Sequence, residues 1–199
     1  MRRATEFDGS WRPLITGTDF FSINPNSVFR TEAPLEVEIG AGRGDFIIAR
    51  AAAAPQRNFL AVELSLALVQ LLERRAACAA LSNLCVVRMD ARPLVNLFLP
   101  GSCVSAYHIY FPDPWPKTRH AKHRLFTPCF VGNLHRTMSA GALLYVATDV
   151  RDYAESIFSM VAAHGFRPTA ELVAGLDATG FARRFSSEGR MVYARTFAK

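Results

Sequence analysis

Cysteine is scarce in this sequence: Cys78, Cys85, Cys103 and Cys129 are the four among 199 residues. They stand 7, 18 and 26 residues apart, and no CxxC or CxxxH pairing occurs. That spacing argues against a zinc framework or any other metal site. It leaves four small apolar side chains kept as thiols in a reducing compartment. Long hydrophobic runs are also missing. The longest, FIIARAAAA at 46–54, is interrupted by Arg50 and is too short to span a bilayer. The N-terminus begins basic with Arg2 and Arg3, but TEFDGSWRP follows where a signal peptide would place its apolar core. No repeat and no low-complexity tract is visible. These absences predict a soluble cytoplasmic protein.

Half of the chain is hydrophobic and a fifth is charged, enough for one ordinary domain with a proper core. The formal net charge is +6 and the pI near 9.5, which favours an anionic partner such as nucleic acid.

Residues 1–33 read as an extension rich in turn formers, and the regular pattern begins at Pro34 and runs to 199. LEVEI (35–39) is a short strand ending at Gly40. A glycine-rich turn leads to the helix FIIARAAAA, stopped by Pro55. FLAVEL (59–64) and LCVVRMD (84–90) are strands flanking a helix that Ser65 can cap. SCVSAYHIYF (102–111) and GALLYVATD (141–149) are two more, separated by a helix that Thr127 and Pro128 begin. RDYAESIFSMVAAH is a helix closed by Gly165, and RPTAELV and MVYARTFA supply a sixth and a seventh strand. This alternation predicts an α/β fold: a mostly parallel sheet with helices on both faces. Ligands of such sheets sit beyond the carboxyl ends of the strands. Gly40, Glu63, Asp90, Asp113 and Asp149 each close a predicted strand.

EIGAGRG places glycines at 40, 42 and 44, where the backbone must turn tightly and approach a ligand at a helix N-terminus. A dinucleotide fingerprint would need its third glycine at 45, which is Asp45. The spacing G-x-G-x-G suits a loop that holds the amino-acid end of S-adenosylmethionine. Glu63 is placed to accept hydrogen bonds from both hydroxyls of a ribose. Asp90 is placed either to meet an adenine amino group or to cap a helix. Glu38 is an acid inside an apolar strand, and a buried acid needs a partner. A cationic sulfonium ligand with its ammonium group would supply one; so would an internal arginine. His108, on an apolar strand, reads as a satisfied core histidine.

The oddest stretch is FPDPWPKTRHAKHR, residues 111–124. Prolines stiffen the backbone on both sides of Asp113. Trp115 follows, and then Lys117, Arg119, Lys122 and Arg124. Together with EIGAGRGDF, VELS and ATD, this stretch resembles the bacterial tRNA (guanine-N7)-methyltransferases, in order and spacing, from about residue 34 to the C-terminus. The resemblance implies a Rossmann-like class I methyltransferase fold with a seven-stranded sheet, S-adenosylmethionine as methyl donor, and N7 of a guanine in the variable loop of tRNA as acceptor. It implies cofactor contacts for Glu38, Glu63, Asp90 and Asp113, and substrate contacts for Lys117 and Asp149. Asp113 then acts as a fixed carboxylate that follows the charge moving onto the guanine or holds its N–H edge. Trp115 offers a flat face for a base or for packing. Lys117, Arg119, Lys122 and Arg124 would hold phosphates, and Arg183, Arg184 and Arg190 either extend that surface or solubilise the C-terminus. In the family's C-terminal Thr-x-Phe/Tyr-Glu motif, Thr179 and Phe181 match and place Thr179 at the substrate. Ala182 stands where the family has Glu. That departure leaves a second reading, a binding module that keeps cofactor and RNA affinity with reduced or lost turnover. The sequence is compatible with a monomer or a homodimer.

Overall fold

The computed structural model describes residues 28, 29, 31–172 and 175–199. Most of the expected N-terminal extension lies outside the described residues. Strand β1 (Leu35–Ile39) leads through the glycine turn into α1 (Asp45–Ala53). Then come β2 (Asn58–Glu63), α2 (Leu66–Cys78) and β3 (Leu84–Arg88). A short α3 (Ala91–Pro93) runs on as a π-helical turn, Leu94–Phe98, into β4 (Val104–Tyr110). The 3-10 segment Thr118–His123, α4 (Pro128–Thr137), β5 (Met138–Thr148), α5 (Arg151–Ala163) and β6 (Arg167–Thr169) follow. A second 3-10 turn (Leu176–Ala178), α6 (Gly180–Ser187) and β7 (Tyr193–Ala198) complete the chain.

The strands form one seven-stranded sheet in the order β3-β2-β1-β4-β5-β7-β6. All neighbours are parallel except β7, which runs antiparallel to both β5 and β6. The winding reverses between β1 and β4, so a crevice opens at their carboxyl ends. The two faces of the sheet differ. Val37, Ile39, Tyr107, Ile109, Leu144 and Val146 pack on one side with Phe130, Leu134 and Ile157 of α4 and α5. On the other side small residues, Ala61, Ala106 and Ala147, leave room for Phe46, Ile47 and Leu72 of α1 and α2. Side chains alternate along β1, so Glu36 and Glu38 both enter this second face.

Of the two expected caps, the one at Thr127 forms, while Ser65 stands at the head of α2 without a side-chain cap hydrogen bond. The Thr127 hydroxyl accepts the Phe130 amide at 3.2 Å, with Pro128 in the first turn. Two boundaries differ from expectation by more than two residues. β5 starts at Met138, ahead of Gly141, because Met138 pairs with Val104 before the register shifts. β6 has only three residues. Among the described residues no helix is long and apolar enough to cross a membrane.

Candidate functional site

A cleft of about 790 Å³ opens at the crevice between β1 and β4. Glu38, Gly40 and Gly42 form one wall, Tyr110 and Phe111 another, and Thr179, Gly180 and Phe181 of the α6 start a third. Asp45, Phe46 and Arg75 also line it. The glycine loop takes the form that its spacing requires. Gly40, Gly42 and Gly44 have φ of 78, 56 and 77°. At Gly44 a Cβ would also come within 2.6 Å of Leu72, so a larger residue would meet both strain and overlap. Asp45 begins α1 beneath this loop and is held by Arg75 at 2.6 Å.

The two glutamates of β1 differ sharply. Glu36, 1% exposed, is surrounded by Arg50, with two hydrogen bonds of 3.0 Å, by Arg57 at 3.2 Å and by His108 at 2.9 Å. Burial alone would raise its carboxyl, but the hydrogen bonds from His108 and Arg50 outweigh this and hold its pKa at about 2. His108 is the satisfied core histidine expected: its second nitrogen meets the Tyr110 hydroxyl at 3.0 Å and its ring stacks on Tyr145. Glu38, 4% exposed, has an oxygen with no hydrogen-bond partner. Burial, then the neighbouring Asp45 and Glu63 carboxylates, push its carboxyl well above the usual carboxylate range. The internal arginines that could have neutralised Glu38 belong to Glu36 instead.

Glu63 stands behind the glycine loop. Its carboxylate accepts the amides of Gly42 at 2.9 Å and of Leu64 and Ser65 at 2.8 Å each. It thereby ties the loop to the end of β2. Asp90 accepts the Arg92 amide at 2.9 Å and a fork from the Arg92 guanidinium, the side-chain hydrogen bond that chiefly lowers its carboxyl pKa. It is therefore a cap in this structure, one of the two roles expected of it.

Asp113 is exposed, two residues beyond the cleft-lining Phe111, and among the described residues it has no hydrogen-bond or ion-pair partner. The backbone on either side is strained. Phe111 has φ 52° and Trp115 φ 41°, left-handed values at two bulky residues, each two positions from Asp113. Phe111 is pinned by its amide to the Ala147 carbonyl at 2.7 Å. On the other side Arg124 donates to the Pro114 carbonyl at 2.9 Å and lies over the Tyr153 ring. Its guanidinium braces the loop, whereas the sequence pattern groups it with the phosphate-binding cations. Lys117, Arg119 and Lys122 are exposed. Trp115 is 37% exposed and leans on His123 and His120.

Asp149 pairs with Arg190, which also covers the Phe185 ring. Arg184 lines the cleft and pairs with Glu188 at 2.7 Å; the side chain of Arg183 lies outside the described residues. Of the residues singled out from the sequence, Glu38, Gly40, Gly42, Thr179, Phe181 and Arg184 line the cleft, while Gly44, Glu63, Asp90, Asp113, Lys117, Arg119 and Asp149 do not. Tyr110, Phe111 and Arg75 line it without having been anticipated as site residues. Tyr110 and Phe111 end a predicted strand, a position that could have flagged them.

A family model described as "Putative methyltransferase" matches residues 32–193. The tRNA (guanine-N(7)-)-methyltransferase of Marinobacter nauticus is 36% identical over 166 residues, 83% of this chain and 70% of that protein. The tRNA (guanine-N(7)-)-methyltransferase of Psychromonas ingrahamii is 34% identical over 173 residues, 85% of this chain and 70% of that protein. The chain belongs to the tRNA (guanine-N(7)-)-methyltransferase family. Among solved structures, the 16S rRNA methyltransferase KamB superposes with a TM-score of 0.66 at 20% identity, covering 89% of this chain and 94% of that one. That likeness carries the fold, the Rossmann-like methyltransferase sheet expected from the sequence.

Against this family's C-terminal motif, the Ala182 departure has a local explanation. Thr179 caps α6: its hydroxyl accepts the Ala182 amide at 3.0 Å and donates to the Leu176 carbonyl at 2.8 Å. A glutamate three residues after such a cap can reach back to the capping residue's own amide. Here that amide already donates to Leu176 at 3.1 Å. Ala182, 9% exposed, lines a separate depression beside Leu176 and Thr196 and is absent from the cleft wall. The alanine itself contributes nothing to the cleft wall.

Proposed function

We propose that the chain transfers a methyl group from S-adenosylmethionine to N7 of a guanine in the variable loop of tRNA. Family membership supports the reaction. The observation that carries the cofactor is Glu38, a buried carboxyl with an unpartnered oxygen at the wall of the cleft. An acid left in that state is matched by a cationic ligand. When bound, S-adenosylmethionine supplies a methyl group on a cationic sulfur and an ammonium group at its amino-acid end. Glu38 and the amides of the glycine loop would hold that end and Glu63 the ribose, while Asp90 would reach the adenine only by giving up part of its hold on Arg92. Glu63 already accepts three amides, so its ribose contact uses the acceptor capacity that remains.

Guanine N7 carries an in-plane lone pair and loses no proton when it forms a bond to carbon. The site needs no strong base; it needs alignment and charge. Asp113 supplies a fixed negative charge beside a base that becomes cationic. Lys117 and Arg119 would hold phosphates, Thr179 on the cleft wall would meet the substrate, and Asp149 could join it only by leaving Arg190. Incubating the protein with unmodified tRNA and S-adenosylmethionine, then analysing the nucleosides by mass spectrometry, should yield 7-methylguanosine. Cofactor and tRNA binding without that product would favour the binding-module reading, which the intact cleft beside Ala182 does not require.

The basic segment divides on the geometry. Removing Lys117 or Arg119 as alanine variants should lower the salt slope of log tRNA affinity by about 0.7–0.9 each. The Arg124→Ala variant should keep the parental slope and lose turnover, because the brace on the Pro114 carbonyl is gone. A reduced slope in Arg124→Ala would return that residue to the RNA surface.

A further inference from the structure

Helix α6 is too short to stand alone. It has eight residues, and isolated helices below about 12–15 residues are marginal in water, so its neighbours must hold it. Its first turn carries Gly180 and Phe181 of the cleft wall. Its far end is fixed by Gly189, which takes φ 66° and turns the chain back, so that the Arg190 amide reaches the Phe185 carbonyl at 2.9 Å. This is the closure that a left-handed glycine makes after a helix, and it sets the residue after the glycine against the helix residue it bonds. Here that pair is Arg190 and Phe185, and the guanidinium lies 4.1 Å from the ring centroid. The same guanidinium meets Asp149 and, at 3.7 Å, Glu188. Phe185 in turn packs edge-on against Phe111 at 5.2 Å and against Phe181 at 5.9 Å, and both of those rings line the cleft. A continuous path therefore runs from Asp149, at the end of β5, through Arg190 and Phe185 to the cleft wall. The Asp149 side chain is 13% exposed and that of Arg190 44%, so the carboxylate is the more buried partner and loses most when its cation leaves.

We infer that Asp149 and Arg190 are positioning residues for the substrate: as one ion pair they hold α6 against the end of β5, and through Phe185 they set where Phe181 stands. Asp149 acts through Arg190 and does not touch the base. The inference rests on the reading of the cleft as the place where tRNA meets S-adenosylmethionine. It also separates the two sides of the cleft. Glu38 and the glycine loop belong to β1 and α1, away from the pair. The first turn of α6 is seated on its own contacts: Thr179 caps it, and a Cβ on Gly180 would lie 3.1 Å from Asp45. Losing the pair releases the far end of α6 and leaves the end beside the cofactor loop in place.

A double-mutant cycle tests whether the two residues act as a unit. Asp149→Asn and Arg190→Gln should each lower kcat/KM for tRNA at least about tenfold, and the double variant should be no worse than the more damaged single. S-adenosylhomocysteine, the cofactor after transfer, should bind all three with parental affinity, which also shows that they are folded. Hydrogen exchange followed by mass spectrometry should find α6 less protected in each variant and α1 unchanged. Losses that multiply in the double variant, or a damaged Asp149→Asn beside a normal Arg190→Gln, put Asp149 on the base and overturn the inference. Parental exchange in α6, or S-adenosylhomocysteine affinity that falls in step with turnover, overturns it as well. A parent protein that makes no 7-methylguanosine sinks the tRNA reading. In that case faster exchange of α6 in both single variants still upholds the anchor, and unchanged exchange removes it.

Discussion

Glu38→Gln is expected to give a more stable protein that binds S-adenosylmethionine poorly. The carboxyl is buried, one of its oxygens has no partner, and Asp45 and Glu63 place further negative charge nearby. Burial and these neighbours raise its pKa well above the ordinary value of 4.5. Between the two values the folded protein holds a proton that the unfolded chain has released. Stability of the ligand-free protein therefore falls as pH rises from 4.5 through the raised folded value. Glutamine keeps the shape and cannot ionise, so this loss disappears and Tm at neutral pH should increase. Cofactor binding has the opposite dependence. A cation pairs with the ionised carboxylate, so a proton must leave, and affinity should rise with pH across the same window in the parent. The glutamine variant should show weaker binding without that pH dependence. Thermal melts and calorimetry over a pH series check both halves. A variant with lower Tm and parental affinity would make Glu38 an ordinary structural acid.

The sequence made this site legible in unequal parts, for physical reasons. Periodicity and breakers are local, so the alternation of strands and helices could be read residue by residue, including the cap at Thr127. The G-x-G-x-G spacing is equally local, and its three left-handed glycines follow from it. Partners across the sheet are not local. LEVEI shows two acids, but not that Arg50, Arg57 and His108 all converge on Glu36, 14 to 72 residues away, and leave Glu38 unmatched. The same limit separates Arg124 from its neighbours: as a charge it belongs to a basic run, and only the fold turns it back onto the Pro114 carbonyl. Ala182 is limited in the same way: a motif position suggests a pocket residue, and only the fold shows that the alanine, three residues past a cap, borders a depression beside the cleft.

Asp113→Asn should abolish most methyl transfer while leaving the fold intact. The carboxylate is exposed and among the described residues takes no hydrogen bond, so its charge contributes little to stability. The backbone that presents it is another matter. Left-handed Phe111 and Trp115 each cost about 1–3 kcal/mol, and such strain persists only where surrounding contacts overdetermine it. Those contacts are the Phe111 amide on Ala147, the Arg124 bond to Pro114, and the packing of Phe111 on Phe181 and Phe185. None involves the Asp113 side chain, so asparagine should sit on the same backbone with nearly the same shape. What changes is one negative charge beside a guanine that becomes cationic as the methyl arrives. A loss of at least about tenfold in turnover, about 1.4 kcal/mol of barrier, is the expected minimum. Affinity for S-adenosylhomocysteine and Tm should both stay near parental values. A variant with near-normal turnover would reduce Asp113 to a turn residue and leave the strained loop as a support for Trp115 alone.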